Sequence, residues 1–141
     1  MQRVDELNVH EAATIVLAED DSDLRALYAR SLRDAGHVVW EASDGGQALA
    51  QVRAHGPDLL LLDIWMPILN GLEVLERLTG TPEGVGLKIV VLSHQSDADT
   101  RLEGFALGVV DYWTKDISAI DLPDRIAHLM RSTATEAGLS S

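Results

Sequence analysis

Residues 59–63 read Leu-Leu-Leu-Leu-Asp, four leucines with no polar alternation and then a carboxylate. A run this short and this apolar suits a strand covered on both faces, the position of a central strand in a parallel sheet. A half-exposed antiparallel strand would alternate polar and apolar residues instead. An acid at the end of such a strand stands where open parallel sheets gather their ligands, outside the carboxyl ends of the strands. The remaining apolar segments then have to supply the neighbours and the cover of this strand.

They do so in alternation. Thr14–Ala18 is a β-branched strand candidate that ends in three acids, Glu19, Asp20 and Asp21. Ser22 is expected to cap a helix in which Leu24, Leu27, Tyr28 and Leu32 recur at helical spacing, with Gly36 as its stop. His37–Glu41 reads as a second strand, and Ser43–Gly46 turns the chain into a helix carrying Ala48, Leu49 and Val52, closed by His55-Gly56-Pro57. After Asp63, a loop over 64–70 leads into a helix from Gly71 with Leu72, Val74, Leu75 and Leu78, broken by Thr79–Gly84. Lys88–Ser93 is a fourth strand. Asp97–Leu107 is a helix with Leu102, Phe105 and Ala106 on one face, stopped by Gly108. Val109–Thr114 is a fifth strand, and Leu122–Met130 a last helix with Ile126, Leu129 and Met130 on one side. Five strands alternating with five helices predict an α/β, doubly wound five-stranded parallel sheet with right-handed crossovers. Residues 1–12 read as an N-terminal arm, 13–131 as the domain, and 132–141 as a flexible C-terminal tail.

Composition agrees with one such unit. With 141 residues, 46% of them hydrophobic, the chain can build a single core without staples, and it has no cysteine for a disulfide or thiolate site. No apolar run approaches the roughly 20 residues of a membrane helix, so a cytoplasmic setting with no membrane partner is expected. The net charge of −12 repels phosphate backbones, which argues against direct nucleic acid binding.

At the carboxyl ends of strands one, three, four and five stand Glu19 and Asp20, Asp63, Ser93 and Lys115. Carboxylates brought together without compensation raise one another's pKa, so their convergence suggests a divalent counter-cation. An all-oxygen donor set without His or Cys favours Mg²⁺. A carboxylate can also attack phosphorus, forming an aspartyl phosphate, where metal, ammonium and hydroxyl offset the charge on the phosphoryl oxygens.

In this combination the chain resembles the bacterial two-component response regulator receiver domain, of the chemotaxis-regulator-like superfamily. The likeness rests on Glu19-Asp20 after strand one and on Asp63 with Pro67 at plus four and Gly71 at plus eight. It rests further on Ser93 ending strand four, Tyr112 in strand five and Lys115 three residues on. It spans roughly residues 13 to 131. It implies a flavodoxin-like strand order 2-1-3-4-5. It implies Asp63 as phosphoacceptor, Asp20 as a direct Mg²⁺ ligand, Glu19 as a ligand through water, and the Trp65 backbone carbonyl as a further ligand. Lys115 and Ser93 would contact the phosphoryl oxygens, and Ser93 with Tyr112 would form the switch. The implied partners are a histidine kinase or phosphotransfer protein and a downstream output protein, with a phosphorylation-linked homodimer possible. The resemblance implies no enzyme beyond self-phosphorylation and self-dephosphorylation at Asp63, with signalling through the helices expected over 97–107 and 122–130.

Departures from the family pattern bear on timing. Asp116 stands where proline usually follows the lysine, and His94 where a small residue usually follows the hydroxyl. Trp65 and Gln95 lie two residues after Asp63 and Ser93, positions that in similar proteins influence hydrolysis of the acyl phosphate. Shielding by Trp65, with access narrowed by His94, predicts a long-lived phosphorylated state. The rival reading is a degenerate receiver serving as a phosphorylation-independent adaptor; a phosphatase-like enzyme would lack a second catalytic acid and a cap domain. His10, His37, His55, His94 and His128 are scattered over different elements, which predicts mostly surface positions and no histidine metal site. Only a short tail follows Met130, so the output partner is expected to be a separate protein, or else the chain is a fragment of a longer regulator.

Overall fold

The computed structural model describes residues 12–94 and 107–140, with side chains through 131. Its elements are β1 (Thr14–Ala18), α1 (Ser22–Asp34), β2 (Val38–Ala42), α2 (Gly45–His55), β3 (Leu59–Asp63), α3 (Gly71–Leu78), β4 (Lys88–Ser93), β5 (Asp111–Thr114) and α4 (Leu122–Ser140). The five strands form one sheet in the order β2-β1-β3-β4-β5, every neighbouring pair parallel. The helix expected over 97–107 lies almost wholly outside the described residues, which otherwise contain four α-helices.

The sheet divides the core in two because successive strand residues face opposite ways. Val16, Ala18, Leu60, Leu62, Ile89 and Val91 point to one side and pack with Ala48, Leu49 and Val52 of α2 and Val74, Leu75 and Leu78 of α3. Ile15, Leu17, Leu59, Leu61, Val90, Leu92 and Trp113 point to the other and meet Tyr28, Ala29 and Leu32 of α1 and Leu122 and Ile126 of α4. All five residues of β3 are buried, which is why its sequence shows no alternation. Each fully buried leucine there contributes about 2–3 kcal/mol relative to exposure, so this strand anchors both halves of the core.

Local chemistry fixes the element ends and corrects some expected ones. The cap of α1 is Asp21, not Ser22: its carboxylate accepts from the amides of Asp23 and Leu24. Asp44 and Asn70 cap α2 and α3, Asn70 in a reciprocal capping box with Glu73. Gly56 ends α2 with φ 53°, a left-handed conformation that glycine adopts without a Cβ penalty. β2 begins at Val38 instead of His37, because the His37 amide bonds Leu32 at the end of α1 and its Nδ1 accepts from the Ala13 amide. His37 is consequently buried, whereas His94 and His128 are exposed. The half-buried His55 stacks on Trp40 with ring centroids 3.6 Å apart. β5 starts at Asp111, two residues later than its apolar pattern suggests. α4 runs past Met130 to Ser140, beyond the end of its amphipathic stripe.

The outer edge of β2 has no strand beside it among the described residues, yet its polar backbone is engaged. Arg33 donates to the Val39 carbonyl at 2.7 Å, Gln51 donates to the Glu41 carbonyl at 3.0 Å, and the Ser43 amide donates to the Gln47 side chain at 2.9 Å.

Candidate functional site

Strand order reverses direction at β1 and β3: from β1 the chain passes outward to β2 and then returns to the other side as β3. Doubly wound sheets bind ligands at this point, beyond the strand ends. The register places Ala18 beside Leu62, Asp63 beside Leu92 and Ser93 beside Thr114. Glu19, Asp63, Ser93 and Lys115 therefore leave the sheet at nearly one level.

Asp63 is 1% exposed and Glu19 fully buried. Between them sits the Lys115 ammonium, 3.0 Å from Asp63 Oδ2 and 2.8 and 3.0 Å from the two Glu19 oxygens. The remaining Asp63 oxygen accepts from the Trp65 amide at 3.1 Å, and Glu19 Oε2 also accepts from the Asp21 amide at 3.1 Å. Asp20 is exposed at the rim, yet one oxygen from each of Glu19, Asp20 and Asp63 lies within 4.8 Å of the others.

The electrostatics follow from one cation among three acids. Burial, reinforced by Glu19 and Asp20, pushes the Asp63 carboxyl up to about 7, with Lys115 only partly opposing. Partial burial acts upward on Asp20 too, but hydrogen bonding with Asp63 and Glu19 and the Lys115 charge outweigh it, and its carboxyl falls below its ordinary value. The two opposite displacements belong to one coupled acidic pair, in which Asp63 is the acid that holds a proton more readily. Burial would lower the Lys115 ammonium, but Glu19 and Asp63 more than compensate and raise it, so it stays charged.

The acidic group could hold a metal ion, and two features fit one. Glu19 Oε1 and Asp63 Oδ2 are buried with no hydrogen-bond donor among the described residues, apart from their ion-pair contacts with Lys115. The donors are all oxygen, the choice of a hard divalent cation.

Of the other sequence candidates, Ser93 is half-buried at the end of β4, and its carbonyl accepts the Lys115 amide at 2.8 Å. Tyr112 is half-buried against the α2 and α3 side of the core. The Trp65 side chain is 64% exposed. Gln95 lies outside the described residues. Asp116 is exposed, follows Lys115 through a trans peptide, and accepts a hydrogen bond from the Thr114 hydroxyl.

Two residues near the site are absent from the sequence candidates. Arg25 donates to the Glu19 carbonyl at 2.8 Å while its Nε pairs with Glu41 at 3.4 Å, tying the acidic loop to β2. Tyr28 reaches the loop after β5. Helical spacing marks Tyr28 as a core residue, and nothing in a linear pattern joins it to Lys115.

Comparison with known proteins resolves the family. The model of the response regulator receiver domain matches residues 15–127. The chain belongs to that family. The receiver is 35% identical over 127 residues to the transcriptional regulatory protein PrrA of Mycobacterium tuberculosis, covering 90% of this chain and 54% of that one. It is 32% identical over 120 residues to the phosphate regulon transcriptional regulatory protein PhoB of Pseudomonas aeruginosa, covering 85% and 52%. It thus spans about half the length of the curated relatives it matches. Among solved structures, a putative response regulator from Chloroflexus aurantiacus superposes with a TM-score of 0.76 at 28% identity, covering 85% of this chain and 98% of that one. The chemotaxis protein CheY4 of Vibrio cholerae shares the fold with a TM-score of 0.77 at 24% identity, covering 83% and 98%. The receiver is a two-component signalling module of a family whose members act in general as switches. Among its described residues no helix is long and apolar enough to cross a membrane.

Proposed function

We propose that this receiver accepts a phosphoryl group on Asp63 in a Mg²⁺-dependent transfer from a phosphohistidine, carried by a histidine kinase or phosphotransfer protein. The change of state then passes to a downstream output protein. The observation that carries the reading is a buried carboxylate held 3.0 Å from a buried ammonium, with two further acids beside it.

An Asp63 oxygen forms the new P–O bond while the P–N bond to the donor imidazole breaks, and the electron pair leaves on the imidazole nitrogen. Lys115 stands where it can neutralise phosphoryl oxygens, and the Ser93 hydroxyl, at the neighbouring strand end, is the second donor. Asp20, Asp63 and the Trp65 carbonyl would hold Mg²⁺ directly and Glu19 through water. Bound there, the ion supplies the charge compensation that lets the carboxylate meet an anionic phosphoryl group. Engagement of Ser93 then favours an inward turn of Tyr112, which already packs on the core edge. Trp65, His94 and Gln95 set the lifetime of the acyl phosphate.

The test is phosphoryl uptake from a small acyl phosphate. Uptake should require Mg²⁺ and disappear in Asp63→Asn; uptake unchanged in that variant refutes the assignment.

A further inference from the structure

Lys115 carries the compensating charge of the site, so whatever fixes its backbone fixes that charge. Its amide is anchored on the sheet side by the Ser93 carbonyl at 2.8 Å. On the opposite side, the Tyr28 hydroxyl donates to the Ile117 carbonyl at 2.7 Å, with the Lys115 carbonyl a longer second acceptor at 3.3 Å. Tyr28 lies 87 residues before Lys115 in the chain and is 1% exposed.

We propose that Tyr28 is the positioning residue for Lys115. Its ring is locked into the α1 side of the core, against the strand residues and α4, so the hydroxyl projects from a rigid base toward the loop. The loop turns that way along its length. The carbonyls of Lys115 and Ile117 face Tyr28, and that of Ala119 accepts from Ser31 one turn further along α1. In place of the proline that commonly stiffens this loop in similar proteins, the chain has Asp116, which accepts from the half-buried Thr114 hydroxyl two residues away. The restraint on the side away from the sheet therefore comes from α1. Burial, together with the Glu19 and Asp116 charges, raises the Tyr28 phenol above its ordinary value, so it stays protonated and able to donate.

Tyr28→Phe keeps the ring and removes the bond. The proposal rests on the phosphoacceptor reading, so it is tested with one readout inside that chemistry and one outside it. In phosphorylation by an acyl phosphate at saturating Mg²⁺, Tyr28→Phe should slow uptake roughly tenfold in the native background and about twofold or less in a Lys115→Ala background. In metal-free protein, the Lys115 ammonium cross-peak in a proton–nitrogen spectrum, assigned by its loss in Lys115→Ala, should broaden or vanish in Tyr28→Phe. Ser31→Ala, which frees the loop further from Lys115, should lower stability and leave that cross-peak in place. Equal slowing in both backgrounds, or an unchanged cross-peak in Tyr28→Phe, overturns the proposal. Uptake that survives Asp63→Asn would instead overturn the phosphoacceptor, and the cross-peak would still decide the role of Tyr28.

Discussion

Asp63→Asn should stabilise the metal-free protein, even though it removes the proposed phosphoacceptor. The reason is that Asp63 is pushed from 3.8 to about 7 in the folded chain by burial and by Glu19 and Asp20. Between those two values the folded state holds more protons than the unfolded state, so stability falls as pH rises through the window and the penalty is complete above it. A displacement of that size corresponds to about 4 kcal/mol between the two protonation states. Asp20 moves the opposite way in the same pair, so the substitution recovers only part of that figure. Lys115 does not lose its only partner, since Glu19 stays 2.8 Å away. Urea unfolding in the presence of a chelator is the assay. The variant should exceed the native protein by a margin of up to about 4 kcal/mol near pH 8, by less than half of that margin near pH 5, and the gap should close toward pH 4. Added Mg²⁺ should stabilise the native chain and narrow the difference, because binding to the folded state adds stability by mass action. A variant less stable than the native protein near pH 8, or a gap that does not change with pH, would refute the charge-crowding argument.

Other substitutions probe the frame around the site. A Cβ at Gly71 would lie 2.7 Å from the Asp63 carbonyl oxygen and 2.8 Å from Ile64 Cα. Gly71→Ala should therefore cost about 3 kcal/mol in urea unfolding and depress phosphoryl uptake in the fraction that folds. Arg25→Met removes the bond to the Glu19 carbonyl and one of two arginines on Glu41, leaving Arg33 in place. It should lose about 1–2 kcal/mol of stability and bind Mg²⁺ several-fold more weakly, as read from tryptophan fluorescence titration. Ile68 is β-branched at φ 72° with 78% of its surface exposed, so its conformation costs more than its contacts return. Ile68→Gly should raise stability by roughly 0.5–1 kcal/mol after the added chain entropy of glycine, measurable by the same unfolding assay.

Much of the fold is legible in one strand. Leu59–Asp63 shows no alternation because both of its faces are covered, and its terminal acid falls at the reversal point because the topology leaves nowhere else for it. Glu19, Asp20, Ser93 and Lys115 can be read in the same way, since each closes a strand whose apolar run is visible. What escapes the pattern is decided by contacts between distant residues or by choices among neighbours of similar chemistry. Asp21 and Ser22 are both good helix caps, and only the path of the chain shows that Asp21 faces the open amides. His37 leaves its strand to bond Ala13 across 24 residues. Tyr28 satisfies helical periodicity as a core residue, which conceals its polar end.

The side chains that occupy the rim of β2 carry a last consequence. A parallel sheet that ends in bare amides and carbonyls is a template on which further chains can lengthen it. Here Arg33 and Gln51 already hold the outward carbonyls of Val39 and Glu41, and Gln47 the Ser43 amide just beyond, at roughly 1 kcal/mol each to displace. The exposed Val38 and Trp40 on this strand therefore do not seed ribbon-like growth. The sheet should therefore keep a fixed number of strands on that flank.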